Sequence, residues 1–481
     1  MKPAQAIMSL PIPAVAFAGA FAPALAALKS RLSGDLLTSQ DAGYDAARSV
    51  WNGMIDRRPL AIGHCRSVDD VIACVRFAGQ QGLPVSIRGG GHNVAGHAVC
   101  DGGLMIDLSG MRGVEVDTAD RSAWVQGGAL WADVDAATQA HGLATPGGLI
   151  SETGVAGLTL SGGVGWLRSA HGLSIDNLLA VDIVTADGER VRASAAEHAD
   201  LFWAIRGGGG NFGVVVNFQF RLHPVGPTVM FAAPIYPLSA GAGPIRFWRD
   251  FLADKSDVVG SICEFSTVAA SADYPQAFWG TRCYTLAAVY AGDAADGERL
   301  LQPLRELGPM VTDFSGQMPY CDVQKLFDPL YPAGQYRCYW KSHLLSHLTD
   351  EVIAEAIGNA AASPSDKSIS SLWNFGGATA AVPADATAFG DRSFGWMYSL
   401  DSVWSDAADD EMVMGWTRTA WTRARRHAHE GRLYLNFAGQ DADSDELTRS
   451  AFGPHYGRLA RIKKRYDPAN MFRFNQNIQP A

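Results

Sequence analysis

Arg88-Gly89-Gly90-Gly91-His92-Asn93, with Val94 to Gly96 behind it, is the stretch that decides how this chain is read. It follows Leu83-Pro84-Val85-Ser86-Ile87, an apolar run with the length of a buried strand. Three successive glycines carry no Cβ, so the backbone can turn its N–H groups inward. Such a nest holds an anion, typically a phosphate or pyrophosphate. The histidine directly after it sets a nucleophilic imidazole beside whatever is bound. A Gly-rich turn with a surface histidine is the competing reading, and the neighbouring sequence weighs against it.

Upstream, Pro59 to Ile62 reads as a strand and Val68 to Gly79 as a helix. Val71, Cys74, Val75 and Ala78 recur there at i, i+3, i+4 and i+7. The nest therefore ends the second strand of a strand–helix–strand unit. Downstream, Leu104 to Leu108, Val114 to Val116 and Ala123 to Gln126 are short strands, and Leu130 to His141 is a helix. A second glycine-rich segment runs from Thr145 to Trp166, with Gly147, Gly148, Gly154, Gly157, Gly162, Gly163 and Gly165. Glycine at that density suggests backbone pressed against a flat or extended ligand. Leu179 to Thr185 is a further strand. In a third segment Gly208, Gly210 and Gly213 formally satisfy G-x-G-x-x-G. A helix (Asp200 to Ile205) precedes it and a strand (Val214 to Leu222) follows, the reverse of the order a Rossmann dinucleotide site needs. NAD(P) binding on a Rossmann domain is excluded on that ground.

Glycine thins out after Pro224 to Pro227. Val229–Ile235, Ser261–Val268, Tyr284–Tyr290, Tyr339–Ser342, Ser368–Phe375, Phe394–Leu400 and Leu433–Phe437 read as strands. Ile245–Leu252 and Ala294–Leu304 read as helices. Antiparallel strands covered by helices on one face make an α+β second domain. The tail has a basic helix, Ala460 to Tyr466, a turn at Asp467-Pro468-Ala469-Asn470, and then Phe472-Arg473-Phe474-Asn475-Gln476-Asn477-Ile478. Asparagines between aromatics point to a buried, hydrogen-bonded segment.

Length suggests about two to four domains, and 47% hydrophobic residues are ample for packed cores. A net charge of −10 and the lack of a concentrated basic face argue against a nucleic-acid partner. Seven widely spaced cysteines form no zinc pattern, so no metal site is expected and reduced thiols are the economical reading. Lys2 followed by an Ala-rich stretch, with Ala24-Leu25-Ala26 as a cleavage site, has the outline of a signal peptide. Pro11, Pro13 and Pro23 interrupt that stretch, and Ala24 to Leu32 also reads as an amphipathic helix. A cytoplasmic location is expected, with export as the alternative. No apolar stretch is long enough to span a bilayer. Nothing in the sequence bears on oligomeric state.

Together these segments resemble the flavin-linked oxidases of the vanillyl-alcohol-oxidase superfamily, with its PCMH-type FAD-binding domain. Within it they resemble the berberine-bridge-enzyme-like family, nearest its bacterial members with a single histidyl link. Tyr44-Asp45-Ala46-Ala47-Arg48 with Trp51-Asn52-Gly53, Arg88 to Asp101, Gly172 to Asn177, Asp200 to Gly207, and Lys464 to Pro468 with Asn475 to Ile478 carry the match. The resemblance implies an N-terminal extension (1–29), a PCMH-type FAD-binding domain (30–227), a substrate domain (228–435) and a C-terminal segment (436–481) returning to the FAD domain. It implies FAD extended between the two lobes. Arg88, Gly89, Gly90, Gly91, Asn93, Gly96 and His97 would hold it from the first segment. Gly148, Thr153, Gly154, Gly157, Leu158, Gly162, Gly163, Gly165, Trp166 and Asn177 would do so from the second. Gly213, Val214, Val215, Asn475 and Asn477 complete the set. His92 matches the histidine that bonds covalently to the flavin. Ile150 stands where many members carry a second, cysteinyl link, so one covalent bond is expected.

The activity so implied is hydride transfer from a carbon bearing oxygen or nitrogen on a small organic substrate, a secondary metabolite or catabolic intermediate. O2 would reoxidise the flavin and yield H2O2. An oxygenase or dehydrogenase on the same scaffold and a non-catalytic flavoprotein are the alternatives. Alcohol oxidation needs a group that accepts the hydroxyl proton. Many family members use a tyrosine in a Tyr-x-Asn-Tyr strand, whereas here the segment is Tyr434-Leu435-Asn436-Phe437, with the last phenol lost. Tyr434, Glu264 and Tyr339 are the catalytic candidates. Glu264 alternates with Ile262 and Ser266 on one strand face, and Tyr339 shares a face with Lys341 and His343. An amine substrate would need no strong base.

Overall fold

In a computed structural model, residues 14–440 and 445–481 are described, with side chains from residue 21. The fold is α+β. A four-stranded sheet carries the strand Val85–Arg88 at one edge, parallel to Leu104–Asp107, which is in turn parallel to Ala61–His64. The helix Val68–Gln81 crosses over between two of these strands. Ser67 caps it reciprocally with Asp70, and Gly82 ends it in a left-handed turn. A five-stranded antiparallel sheet holds Val214–Arg221 at its centre, between Ser122–Gln126 and Leu178–Val184.

The third large sheet is antiparallel throughout. Its longer strands run, in order, Arg282–Tyr290, Val259–Thr267, Ile369–Asn374, Trp396–Trp404 and, at one edge, Arg337–Leu345. Strand parity assigns its two faces. Cys263, Phe265, Leu372, Tyr398 and Leu400 pack against the helices Gly243–Leu252, Asp350–Ala361 and Asp410–Ala424. Ile262, Trp373 and Met397 turn the other way, towards the glycine-rich segments.

Two ties join this sheet to the first lobe. Arg168 is fully buried and donates to the Asn374 carbonyl and side-chain oxygen, both at 2.8 Å. Asn52 donates to Val94 O (2.7 Å) and Cys338 O (2.8 Å), and its own oxygen accepts from Cys338 N (3.1 Å). The C-terminal helix Tyr456–Tyr466 packs back on the first lobe, with Leu459 and Ile462 in its core.

Several expectations need correcting. Leu433–Phe437 is not a strand: Phe437 N donates to Tyr434 O at 3.0 Å, closing a short 3₁₀ turn between the lobes. Val229–Ile235 is split into Thr228–Ala232 and Pro234–Pro237. The Ala-rich stretch forms a helix, Ala14–Lys29, with Leu25 and Leu28 buried beside Phe77. Its first residues, Lys2 included, lie outside the described ones. No described helix is long and apolar enough to cross a membrane. The seven cysteines form no disulfide.

Candidate active site

The three glycine-rich segments, the 434–437 turn and the apolar-facing side of the large sheet enclose one cavity, with about 260 Å³ of water-accessible space. Gly89, Gly90, Gly91, His92, Asn93 and His97 line it from the nest. Gly148, Thr153, Gly154, Gly157 and Leu158 line it from the second segment, and Gly213, Val214, Val215 and Asn475 from the third and the tail.

The nest is built by interlocked backbones. A Cβ on Gly90 would meet Gly154 Cα and N at 2.5 Å, and one on Gly154 would meet Gly90 N at 2.3 Å. Gly91 sits at φ +71°, where a side chain is strained. The amides of Gly90 and Gly91 find no acceptor among the described residues, as a cradle for an anion requires. Gly154→Ala has no flexible neighbour to displace. It should lower stability by about 3 kcal/mol and drop the flavin-to-protein absorbance ratio, read by urea unfolding and by the visible spectrum.

His92 stacks on Trp51, with ring centroids 4.2 Å apart and planes at 17°. Its Nε2 is buried without a hydrogen-bond partner, and burial pushes its pKa down to about 4. Stacking on Trp51 holds the ring, and the imidazole is neutral at pH 7, as a nucleophile must be. Trp51 is itself anchored: its N donates to Gly91 O (3.0 Å) and its Nε1 to Tyr331 O (2.9 Å).

Tyr434 is fully buried and lines the cavity. Its phenol oxygen accepts from Gly163 N and Val164 N, both at 3.2 Å, and from Asn436 Nδ2 at 2.9 Å. Burial raises its pKa to about 12 against those donors. With three donors on the oxygen, its own proton is left to an acceptor in the cavity. Glu264 also lines the cavity, on a central strand and 6% exposed, rather than on an exposed edge. Burial, with the Asp401 charge, pushes its pKa up to about 8.

Other expected site residues are placed elsewhere. Tyr339 shares its face with Lys341 and His343, but that face packs on the helix Asp410–Ala424, so Tyr339 does not reach the cavity. Arg88 turns away to Asp107 Oδ1 (2.9 Å) and Ala47 O (2.6 Å), bracing the nest from behind. Asn177 binds the carbonyls of His171 and Leu173 and faces His223 Nε2 at 2.7 Å. Gly96, Gly162, Gly163, Gly165, Trp166 and Asn477 are not among the residues lining the cavity.

Sequence reasoning missed Asp401, Trp340 and Tyr331, which line the cavity. Asp401 lies one residue past the expected end of its strand. The alternation through Met397 and Ser399 places it on the cavity face. Tyr331 comes from a loop, for which the sequence carries no signal.

These residues fit FAD. The nest offers free amides, the walls are apolar, and Asn475 Oδ1 and His92 Nε2 are buried polar atoms without partners in the protein. Residues 59–194 match the family described as FAD binding domain, and residues 433–479 the family described as Berberine and berberine like. The chain is 32% identical over 483 residues to the FAD-linked oxidoreductase pgmH of Aspergillus terreus, covering 92% of this chain and 93% of that one. It is 30% identical over 466 residues to (R)-6-hydroxynicotine oxidase of Paenarthrobacter nicotinovorans, covering 93% and 97%. The crystal structure of 6-hydroxy-D-nicotine oxidase from Arthrobacter nicotinovorans superposes with a TM-score of 0.82 at 29% identity, over 94% of this chain and 98% of that one. A chitooligosaccharide oxidase shares the fold, with a TM-score of 0.82, 21% identity and coverage of 95% and 100%. With its glycine nest, its C-terminal return and this likeness along nearly its whole length, the chain belongs to the berberine-bridge-enzyme-like family of FAD-linked oxidoreductases.

Proposed function

We propose that the protein is an oxidase that holds FAD covalently through His92 and takes hydride from a C–O or C–N carbon of a small organic substrate, with O2 as the terminal acceptor and H2O2 as product. Residues 30–227 and 436–481 form the FAD lobe in this reading, and 228–435 the substrate lobe. The observation that carries it is His92: a neutral, stacked imidazole on the wall of a cavity that has a glycine nest on one side and the substrate sheet on the other. FAD supplies the hydride acceptor and the route to O2. The nest amides and Asn475 bind and orient it. Ile150 lines the same cavity, and its side chain cannot form a thioether, so a single covalent bond is expected.

Tyr434 donates its phenolic proton into the cavity and so orients a substrate oxygen or nitrogen. It is too weak an acid to lose that proton readily at neutral pH. Phe437, 5.2 Å from Tyr434 between ring centroids, supplies wall where a second phenol is missing.

The purified protein should be yellow, and acid precipitation should leave the colour in the pellet. A colourless pellet below a yellow supernatant refutes the covalent link. Peroxide formed near one-to-one with substrate oxidised supports the oxidase. Turnover with an artificial acceptor and no peroxide would make it a dehydrogenase.

A further inference from the structure

Two carboxyl groups face the cavity from strands of the large sheet that flank Ile369–Asn374, and no cation answers them there. Glu264 is opposite Ser371 in the strand register, Ser371 is opposite Ser399, and Asp401 lies two residues further along the same face. Both are more than nine-tenths buried. The Glu264 backbone pairs in the sheet, while its carboxyl has no hydrogen bond to a side chain or backbone group among the described residues. Asp401 accepts one long bond from Ser399 Oγ (3.3 Å), and its Oδ1 is buried without a partner. No lysine or arginine lines the cavity among the described residues. Arg168, behind Trp373, packs on that ring at 5.5 Å from its centroid and is occupied by Asn374 and Ser261. Buried acids without partners are costly in an empty protein, and a bound cation would offset that cost.

The adjoining walls are aromatic. Tyr331 and Trp340 meet at 5.7 Å and 74°, and Trp340 and Phe437 at 5.3 Å and 78°. Ring faces set at right angles attract a positive nitrogen. We propose that Glu264 and Asp401, with Tyr331, Trp340 and Phe437, form a subsite for the protonated amino group of an amine substrate, and that the carboxyl pair removes one of its N–H protons. This deepens the oxidase reading and rests on it, since the proton transfer matters only if the neighbouring carbon is then oxidised. Binding of the ammonium drives a carboxyl proton to solvent. The freed carboxylate then takes a proton from nitrogen: an N–H bond breaks, a carboxyl O–H forms, and the electron pair stays on nitrogen beside the carbon to be oxidised.

The sign of the pH dependence follows. Both acids are raised to about 8, by burial first, so both bind protons at pH 6 and a cation must displace one. The other titratable groups near the pair are Tyr331, Tyr274, Cys283 and Cys338, all raised by burial first and neutral in this range, while Cys263, next to Glu264 on its strand, turns to the opposite face of the sheet. His92 faces it from the other lobe and Tyr434 from the turn at 434–437, and both are uncharged at neutral pH. His97 also lines the cavity, on the nest side. Affinity for a permanent cation should therefore rise with pH, by about tenfold per unit well below the transition, and level off above it.

The test is calorimetric titration of the yellow holoenzyme with benzyltrimethylammonium and, separately, benzyl alcohol between pH 6 and 9. The cation should bind at least about thirty times tighter than the alcohol at pH 8 and release close to one proton below it. Glu264→Gln with Asp401→Asn should lose both the preference and the pH dependence. Equal binding of the two probes by the wild type, or cation binding that is flat with pH, overturns the proposal even if the double variant fails to fold. Retention of the preference by a folded, yellow double variant also overturns it. Loss of colour on unfolding of the wild type would instead count against His92 and leave the probe result standing.

Discussion

A His92→Ala protein should fold and still bind FAD, yet give a colourless pellet when denatured. The change removes a ring that stacks on Trp51 and whose Nε2 has no hydrogen-bond partner among the described residues. The cost to the fold is therefore a modest cavity, about 2 kcal/mol by comparison with other aromatic truncations at partly open sites. The cost to the cofactor link is total, because no cysteine lines the cavity among the described residues to replace it. Denaturing electrophoresis under ultraviolet light reads the outcome directly: a fluorescent band for the wild type and none for the variant. Fluorescence persisting at the protein band in the variant would require another attachment residue. Turnover should fall in parallel, since dilution then strips dye from a site that holds it only by the nest and the tail.

Lys463→Met should be the most destabilising single change. Lys463 is fully buried, as is Asp467 one turn later. Its Nζ donates to Asp467 Oδ2 (2.7 Å), Asn211 O (2.7 Å) and Phe472 O (2.9 Å). Asp467 also accepts from Met471 N (2.8 Å) and Phe472 N (2.9 Å). Methionine fills the space but leaves a buried carboxylate and two carbonyls without their donor, a loss of about 3–5 kcal/mol. The expected signature is a lower urea midpoint with an unchanged slope, and dye that leaks on dilution. The leak follows from Asn211, whose Oδ1 accepts from Ile478 N (2.9 Å) and whose Nδ2 donates to Gln476 O (3.2 Å). A midpoint within experimental scatter of the wild type would show that the pair contributes little.

The nest was legible because its chemistry is written in consecutive residues. Gly90 and His92 need only their neighbours to be recognised, and the strand before them announces itself by composition. Glu264 was half legible: alternation gave its face, but only the sheet order made its strand central. Tyr339 failed for the complementary reason. Parity grouped it correctly with Lys341 and His343, yet nothing local says which side of the sheet the helix Asp410–Ala424 will cover. Asp401 was lost to a strand end placed at Leu400, four residues short of the observed end at Trp404. The 434–437 turn was misread because Leu433, Tyr434, Leu435 and Phe437 are the residues a strand would also use. Their shape is set by packing between lobes, a contact that joins positions far apart in the sequence.

Because Asn475 and Gln476 complete a cavity begun by Gly89 to His92, the pocket has an order of assembly. During synthesis the nest leaves the ribosome several hundred residues ahead of the segment that closes over it. A nascent chain can offer its amides to a dinucleotide but has no means to keep it. Capture of the cofactor is thus a late event in the life of the polypeptide, and a chain stalled before Lys463 would stay colourless however well its first lobe had folded.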